Sequence, residues 1–198
     1  QGLSLKNIQI SVTDRRGREV YSDFGEMMFT HFGVSGPVVL SASSHIRTLD
    51  GHRLTIDLKP ALSEKQLDAR LVRDFQACSN RDFCNALDGL FPKKLIPVMV
   101  KLSGILEHTK VHQITKEQRK KLGTLCKNLT VTLTAMRPIE EAIITSGGVS
   151  VKEINPSTME SKLVPGLFFC GEMMDVDAYT GGFNLQIAFS TGYLAGQS

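Results

Sequence analysis

GEMMDVDAYTGGFNLQIAFSTG, residues 171–192, sets a glycine turn between a short apolar run and the start of a helix. Upstream, Leu167, Phe168, Phe169 and Cys170 stand between Gly166 and Gly171. A run this short, bounded by glycines, predicts a strand buried on both faces. Downstream, Thr180, Gly181 and Gly182 open a helix that continues through Leu185, Ile187, Ala188 and Leu194. Without Cβ atoms at the turn, the free N–H groups of the helix start can approach a ligand closely. Such an end attracts negative charge.

Working outward, Ile8, Ile10 and Val12 alternate with polar residues, and the turn DRRG separates them from residues 19–24. This predicts a β-hairpin, with Gly17 supplying the turn. From Ser35 the pattern becomes helical: Ser35 is placed to cap, Pro37 suits a first turn, and Val38, Val39, Ala42 and Ile46 form one stripe. Leu54, Ile56 and Leu58 alternate again, up to Pro60. Ser63 with Gln66, and Thr115 with Gln118, have capping-box spacing, so a helix is expected after each. Helical intervals relate Leu67, Leu71, Phe75 and Cys78; Leu95, Val98, Met99 and Leu102; and Leu122 with Leu125. TVTLTAM, residues 130–136, restores alternation with Val131, Leu133 and Ala135 on one side, and residues 139–144 are expected to continue extended. Gly147 and Gly148 predict either a sharp bend that brings the chain near a ligand or a plain hairpin turn.

Composition narrows the function classes. The chain has 198 residues, is 41% hydrophobic, and carries 23 basic and 20 acidic residues for a net charge of +3. The basic residues are dispersed except at Arg15–Arg16, Lys93–Lys94 and Arg119–Lys121, so nucleic-acid binding is not expected. No apolar run approaches the ~18 residues of a membrane span, and no signal sequence opens the chain, so a cytoplasmic setting is expected. Cys78, Cys84, Cys126 and Cys170 show no CxxC spacing and no neighbouring His at metal spacing, which predicts reduced thiols and no metal site.

The turn block, with GEMMFTHFGVSGPVVL (residues 25–40) and EAIITSGGVSVKEINPSTMESKLVPGLFF (residues 141–169), resembles the bacterial two-dinucleotide-binding-fold flavoproteins, the aminoacetone-oxidase-family NAD(P)/FAD-dependent oxidoreductases. Both ends of the chain carry the resemblance through motifs; only residues from about 45 to 135 are placed by position. It implies a mixed α+β fold: an antiparallel β-barrel-like substrate domain (1–62), a helical insert (63–128), returning barrel strands (129–155), and the last strand and helix of an FAD-binding domain (156–198). The GxGxxG turn that opens such flavoproteins is absent. The chain is therefore expected to be the C-terminal half of a longer protein, partnered by a missing N-terminal FAD-binding half; a naturally processed chain starting at Gln1 is the alternative.

The resemblance implies FAD as cofactor, NAD(P)H as a possible electron donor and a small-molecule substrate, and the fragment alone is expected to be inactive and to bind FAD weakly or not at all. Gly171, Glu172, Asp177, Thr180, Gly181, Gly182, Phe183, Asn184, Leu185 and Gln186 are the implied cofactor-binding residues. Glu172 is expected to receive a ribityl hydroxyl, and the helix start at Gly182 to face the pyrimidine edge of the isoalloxazine ring. Asp175 and Asp177 are open to two readings, capping of the turn or water-mediated ribityl and phosphate contact. Asn184 or Gln186 either reads the flavin edge or is ordinary helix-surface polarity. His31, beside the glycine-bounded helix start at residues 33–37, is the one His singled out as a catalytic candidate; a structural or surface role is its alternative.

Overall fold

The computed structural model describes residues 2–198. They form two compact units, residues 2–134 and residues 135–198. The first is a mixed α/β unit built on a five-stranded antiparallel sheet curled as a half-barrel, in the order β3-β2-β1-β4-β5. The strands are β1 (Leu3–Thr13), β2 (Glu19–Phe29), β3 (Val34–Ser35), β4 (Arg53–Asp57) and β5 (Leu129–Thr132).

Central strand β1 explains a feature of its own sequence. Leu3 and Leu5 are buried at odd positions, whereas Ile8, Ile10 and Val12 are buried at even ones. A period of two cannot serve both sets without an extra residue. The pairing with β2 shifts between Leu5 and Ile8, and Asn7 takes the left-handed φ of 54° that lets the chain bulge there. The β1–β2 hairpin turns at residues 14–18, where the Asp14 carboxylate accepts from the N–H groups of Arg16 and Arg18.

Helix α1 (Pro37–Ser44) has Pro37 in its first turn, but Gly36 is its cap rather than Ser35. Ser35 is instead paired with Met28 in the β2–β3 ladder. Gly36 has a φ of 103°, and a Cβ there would stand 2.9 Å from the Met27 Cα, so only glycine brings the helix this close to β2.

Between β4 and β5 stand α2 (Glu64–Ala77), α3 (Phe83–Ala86), α4 (Ile96–Ser103) and α5 (Lys116–Lys127). Both expected capping boxes are formed. The Gln66 N–H donates to Ser63 Oγ at 3.3 Å and the Ser63 N–H to Gln66 Oε1 at 2.9 Å; at Thr115 and Gln118 the two distances are 3.2 and 2.9 Å. Leu67, Leu71 and Phe75 are buried, and Phe83 meets Phe75 edge to face at 6.4 Å. Helix α4 is rotated from expectation: Ile96, Met99 and Val100 face inward while Val98 and Leu102 are exposed. Apolar residues stand on nearly every side of the run, with Lys101 its one charge, so periodicity leaves its phase open and packing sets it.

The helical segment is fastened to the sheet at its return. Lys127 Nζ lies 2.5 Å from Asp57 Oδ2 and donates to the carbonyls of Lys59 (3.0 Å) and Leu62 (2.8 Å), and the Leu58 N–H donates to the Cys126 carbonyl at 2.8 Å. Burial pushes the Cys126 thiol up to about 12, so it stays neutral. Arg119 grips Asp68 through Nε and Nη2, which donate to the two carboxylate oxygens at 2.8 and 3.2 Å, joining α5 to α2. That hydrogen-bonded guanidinium holds the Asp68 carboxyl below its usual range. Strand β5 ends at Thr132; Ala135 and Met136 are exposed, and residues 139–141 form a short 3-10 turn rather than extended chain.

In the second unit Ile154, Met159 and Met174 are buried together, with Val149, Phe169, Val176, Leu194 and Ala195 packed on them. Its one long helix is α6 (Phe183–Gln197). Residues 167–170 pair only through an isolated bridge from Phe168 to Glu160, and Leu167 is exposed. A doubly buried strand needs ladder neighbours and cover on both faces, which residues 135–198 do not supply to this run. Among the described residues, no helix is long and apolar enough to cross a membrane.

Two stability outcomes follow from these contacts. Ser63→Ala and Thr115→Ala are each expected to lower unfolding free energy by about 1 kcal/mol in urea titration. Lys127→Met keeps the aliphatic stem but strands the half-buried Asp57 carboxylate, at an expected cost of about 3 kcal/mol by the same measurement.

Candidate functional site

The glycine turn sits in the second unit, and three local devices shape it. First, Gly148 lies against the backbone of residues 173–175: a Cβ there would come within 2.6 Å of the Met173 carbonyl oxygen. The Val149 N–H donates to the Met173 carbonyl (2.8 Å) and the Asp175 N–H to the Val149 carbonyl (2.9 Å), a one-rung parallel bridge. The two glycines at 147–148 thus bring two chain segments into backbone contact. This close approach requires glycine at 148.

Second, Gly171, with a φ of 61°, begins a 3-10 turn over Gly171–Met173 and donates its N–H to Thr191 Oγ1 at 2.9 Å. Thr191 in turn donates to the Ile187 carbonyl at 2.7 Å. Ala188 Cβ lies 3.7 Å from where a Cβ on Gly171 would stand, so the middle of α6 passes beside this turn. Third, the Asn184 carboxamide clamps the loop ahead of the helix: its Oδ1 accepts from the Ala178 N–H and its Nδ2 donates to the Ala178 carbonyl, both at 2.8 Å.

The helix start these devices hold is uncapped by any side chain. Gly182 is its cap residue in the left-handed conformation, with a φ of 88°, and Gly181 precedes it at 127°. The Gly182 carbonyl accepts from the Gln186 N–H at 3.0 Å, the first helical bond. The N–H groups of the opening turn have no intrahelical partner by construction. Open space surrounds the position a Cβ on Gly182 would take. An exposed, uncapped helix end of this kind favours anions or partial negative charge by about 0.3–1 kcal/mol, more where water is excluded.

Of the residues singled out from sequence, Gly171 and Glu172 open the 3-10 turn, Asp177 and Thr180 stand in the loop that follows it, Gly181 and Gly182 lead into α6, and Phe183, Asn184, Leu185 and Gln186 form its first turn. Glu172, Asp175 and Asp177 are exposed, and none forms an ion pair among the described residues. Gln186 donates to Ser190 Oγ at 2.9 Å on the helix surface. Sequence reasoning missed Thr191, since a mid-helix threonine whose partner is a glycine N–H twenty residues away leaves no local signal. His31 belongs to the first unit, exposed in the β2–β3 turn, with its ring edge to face on Phe32 at 4.9 Å. Among the described residues no cluster of three His, Cys, Asp or Glu is placed to hold a metal.

Three curated proteins show what this chain resembles. It is 34% identical over 187 residues to a 3-dehydro-bile acid delta(4,6)-reductase of Clostridium scindens, covering 92% of this chain and 46% of that protein. It is 31% identical over 191 residues to a ribosomal RNA dihydrouridine synthase of Haemophilus influenzae, covering 96% of this chain and 45% of the relative. It is 33% identical over 171 residues to a ribosomal RNA dihydrouridine synthase of Escherichia coli, covering 86% and 41%. The chain therefore spans less than half the length of these relatives. Residues 1–144 match the model of the HI0933-like protein barrel and H2TH domain, and with its half-barrel sheet and inserted helices the chain belongs to that family.

Proposed function

We propose that this chain is the substrate-side and flavin-facing portion of an FAD-dependent oxidoreductase that moves hydride between flavin and a nicotinamide donor or a small organic substrate. The observation that carries this reading is the uncapped start of α6 behind Gly181 and Gly182, with open space at Gly182. Similarity to a reductase supports it. The site fits the group: unobstructed main-chain N–H groups suit a flavin pyrimidine edge, and the exposed Glu172 carboxylate, on the 3-10 turn beside the middle of α6, suits a ribityl hydroxyl. FAD supplies the two-electron chemistry. The chain's own residues do the rest: the helix start stabilises negative charge at that edge, Asn184 fixes the loop ahead of it, and Thr191 fixes Gly171.

We propose that further polypeptide of the same protein, of the kind that makes up the rest of the longer relatives, holds the adenosine and most pyrophosphate contacts. Phe183, Leu185, Phe189 and Tyr193 on α6 are all exposed, which supports further polypeptide covering that helix. The chain alone is then expected to bind FAD only weakly, and submicromolar affinity by flavin fluorescence titration contradicts this.

The whole polypeptide is expected to purify yellow and to bleach with NADH or NADPH. A colourless protein that stays inactive after FAD addition overturns the reading in favour of an interaction or regulatory module that kept the fold. Within that polypeptide, Gly182→Val forces a β-branched residue into a positive φ, and it is expected to impair FAD retention and reduction. Asn184→Ala removes both bonds to Ala178 and is expected to weaken FAD binding about tenfold with the circular dichroism spectrum unchanged. Retention and reduction equal to the parent in both variants refute the helix-start assignment.

A further inference from the structure

Strand β1 keeps β2 beside it along its length, but β4 only from Gln9 to Thr13, where the ladder runs from Gln9↔Asp57 to Thr13↔Arg53. The two residues after Asp57 leave β1. The Leu58 N–H donates to the Cys126 carbonyl at 2.8 Å, and the Lys59 carbonyl accepts from Lys127 Nζ at 3.0 Å, so both bonds draw this segment towards α5. A recess of about 250 Å³ opens there, between the first half of β1, residues 58–59 and residues 90–95.

Leu5, Ile8, Leu58, Leu90, Phe91 and Leu95 line the recess, and no carboxylate borders it. Leu5 and Ile8 both reach it because the bulge at Asn7 reverses the parity between them. Lys6 and Lys59 are its two cations. Lys6 is exposed and lies 3.9 Å from Glu26 Oε1. Lys59 is half-buried, and among the described residues no carboxylate lies within ion-pair distance of its ammonium. Asp57, two residues back, is taken by Lys127 at 2.5 Å. Burial, and then the like charge of Arg70, hold the Lys59 ammonium below the usual lysine range, and a bound anion offsets both effects. One uncompensated cation among apolar walls suits a singly charged head on a hydrocarbon tail. A dianion such as a phosphate monoester calls for further donors, and Arg70 is committed to Asp74 at 3.2 Å and to the Gly89 carbonyl at 2.9 Å.

We propose that this recess binds a medium-chain linear carboxylate, its head paired with the Lys59 ammonium and its hydrocarbon tail against Leu5, Ile8, Leu90 and Phe91. The volume is below the ~300–1,000 Å³ of pockets that enclose drug-sized ligands, which favours a single unbranched chain over a ring system. No residue of the second unit takes part, so this site stands or falls apart from the flavin reading.

The test is an NMR titration of the full chain, with isotope-labelled Leu and Ile methyl groups, at neutral pH. Octanoate is expected to shift the methyl signals of Leu5, Ile8, Leu90 and Leu95 to saturation while leaving that of Leu185, exposed on α6, in place. It is expected to bind about 10- to 100-fold more tightly than octanol, the contribution of one charge-assisted hydrogen bond. Lys59→Met keeps the stem, removes the charge and is expected to erase that preference. Lys65→Met, at an exposed position of α2, is expected to keep the parental octanoate affinity. Both variants are checked for parental thermal unfolding, and the preference of the parent chain for octanoate over octanol tests the charge with no substitution at all. Equal affinity of the parent for octanoate and octanol, a preference that survives Lys59→Met, an equal loss in Lys65→Met, tighter binding of octyl phosphate, or shifts as large on Leu185 as on Leu90 overturns the proposal.

Discussion

The first unit depends on a return. The chain leaves the sheet after Asp57, runs through four helices, and has to deliver β5 alongside β4 in the register Arg53↔Thr132 to Ile56↔Leu129. Lys127 enforces that return, reaching back to Asp57 and to the carbonyls of Lys59 and Leu62 just before β5 begins. Loop closure over so long an excursion costs several kcal/mol of chain entropy, though that cost grows only slowly with length. Hydrophobic burial of Leu67, Leu71, Met99 and Leu122 supplies most of the compensation, but burial is non-directional. The lysine's three donors have directions, and they select one register among many compact arrangements.

How much was legible depended on how local the governing interaction is. The two helix starts at Ser63 and Thr115 are readable because a capping box spans only four residues and its partners are all backbone and side chains of that stretch. The β1–β2 hairpin is readable for the same reason. The phase of α4 is not, because a helix apolar on nearly every side takes its orientation from neighbours the periodicity does not contain. The cap of α1 fell to Gly36 because Ser35 had a stronger obligation to the ladder with Met28. In the candidate site the glycines were legible through their missing side chains, and the helix start at Gly182 stands where the turn predicts it. The clamp by Asn184 was not, since its partner is the main chain of Ala178, and any residue type can present a main chain.

The second unit shows how little packed core is needed to fix a turn. Ile154, Met159 and Met174 form its buried centre, and the remaining order comes from backbone pairing at Gly148 and from two polar side chains, Asn184 and Thr191. Such hydrogen bonds contribute about 1 kcal/mol each, so they orient more than they stabilise. A ligand meeting this helix start finds the loop ahead of it already ordered, and less of its binding energy is lost to arranging the chain.

The bulge at Asn7 divides β1 into two stretches that obey opposite parity. A lineage that dropped a single codon from this hinge would invert the facing of either Leu3 and Leu5 or Ile8, Ile10 and Val12, wetting one group of aliphatic side chains while driving polar neighbours inward. A change of length at this point therefore disturbs the sheet more than a change of residue type does, whereas the connections between strands absorb an added or lost residue without inverting either face.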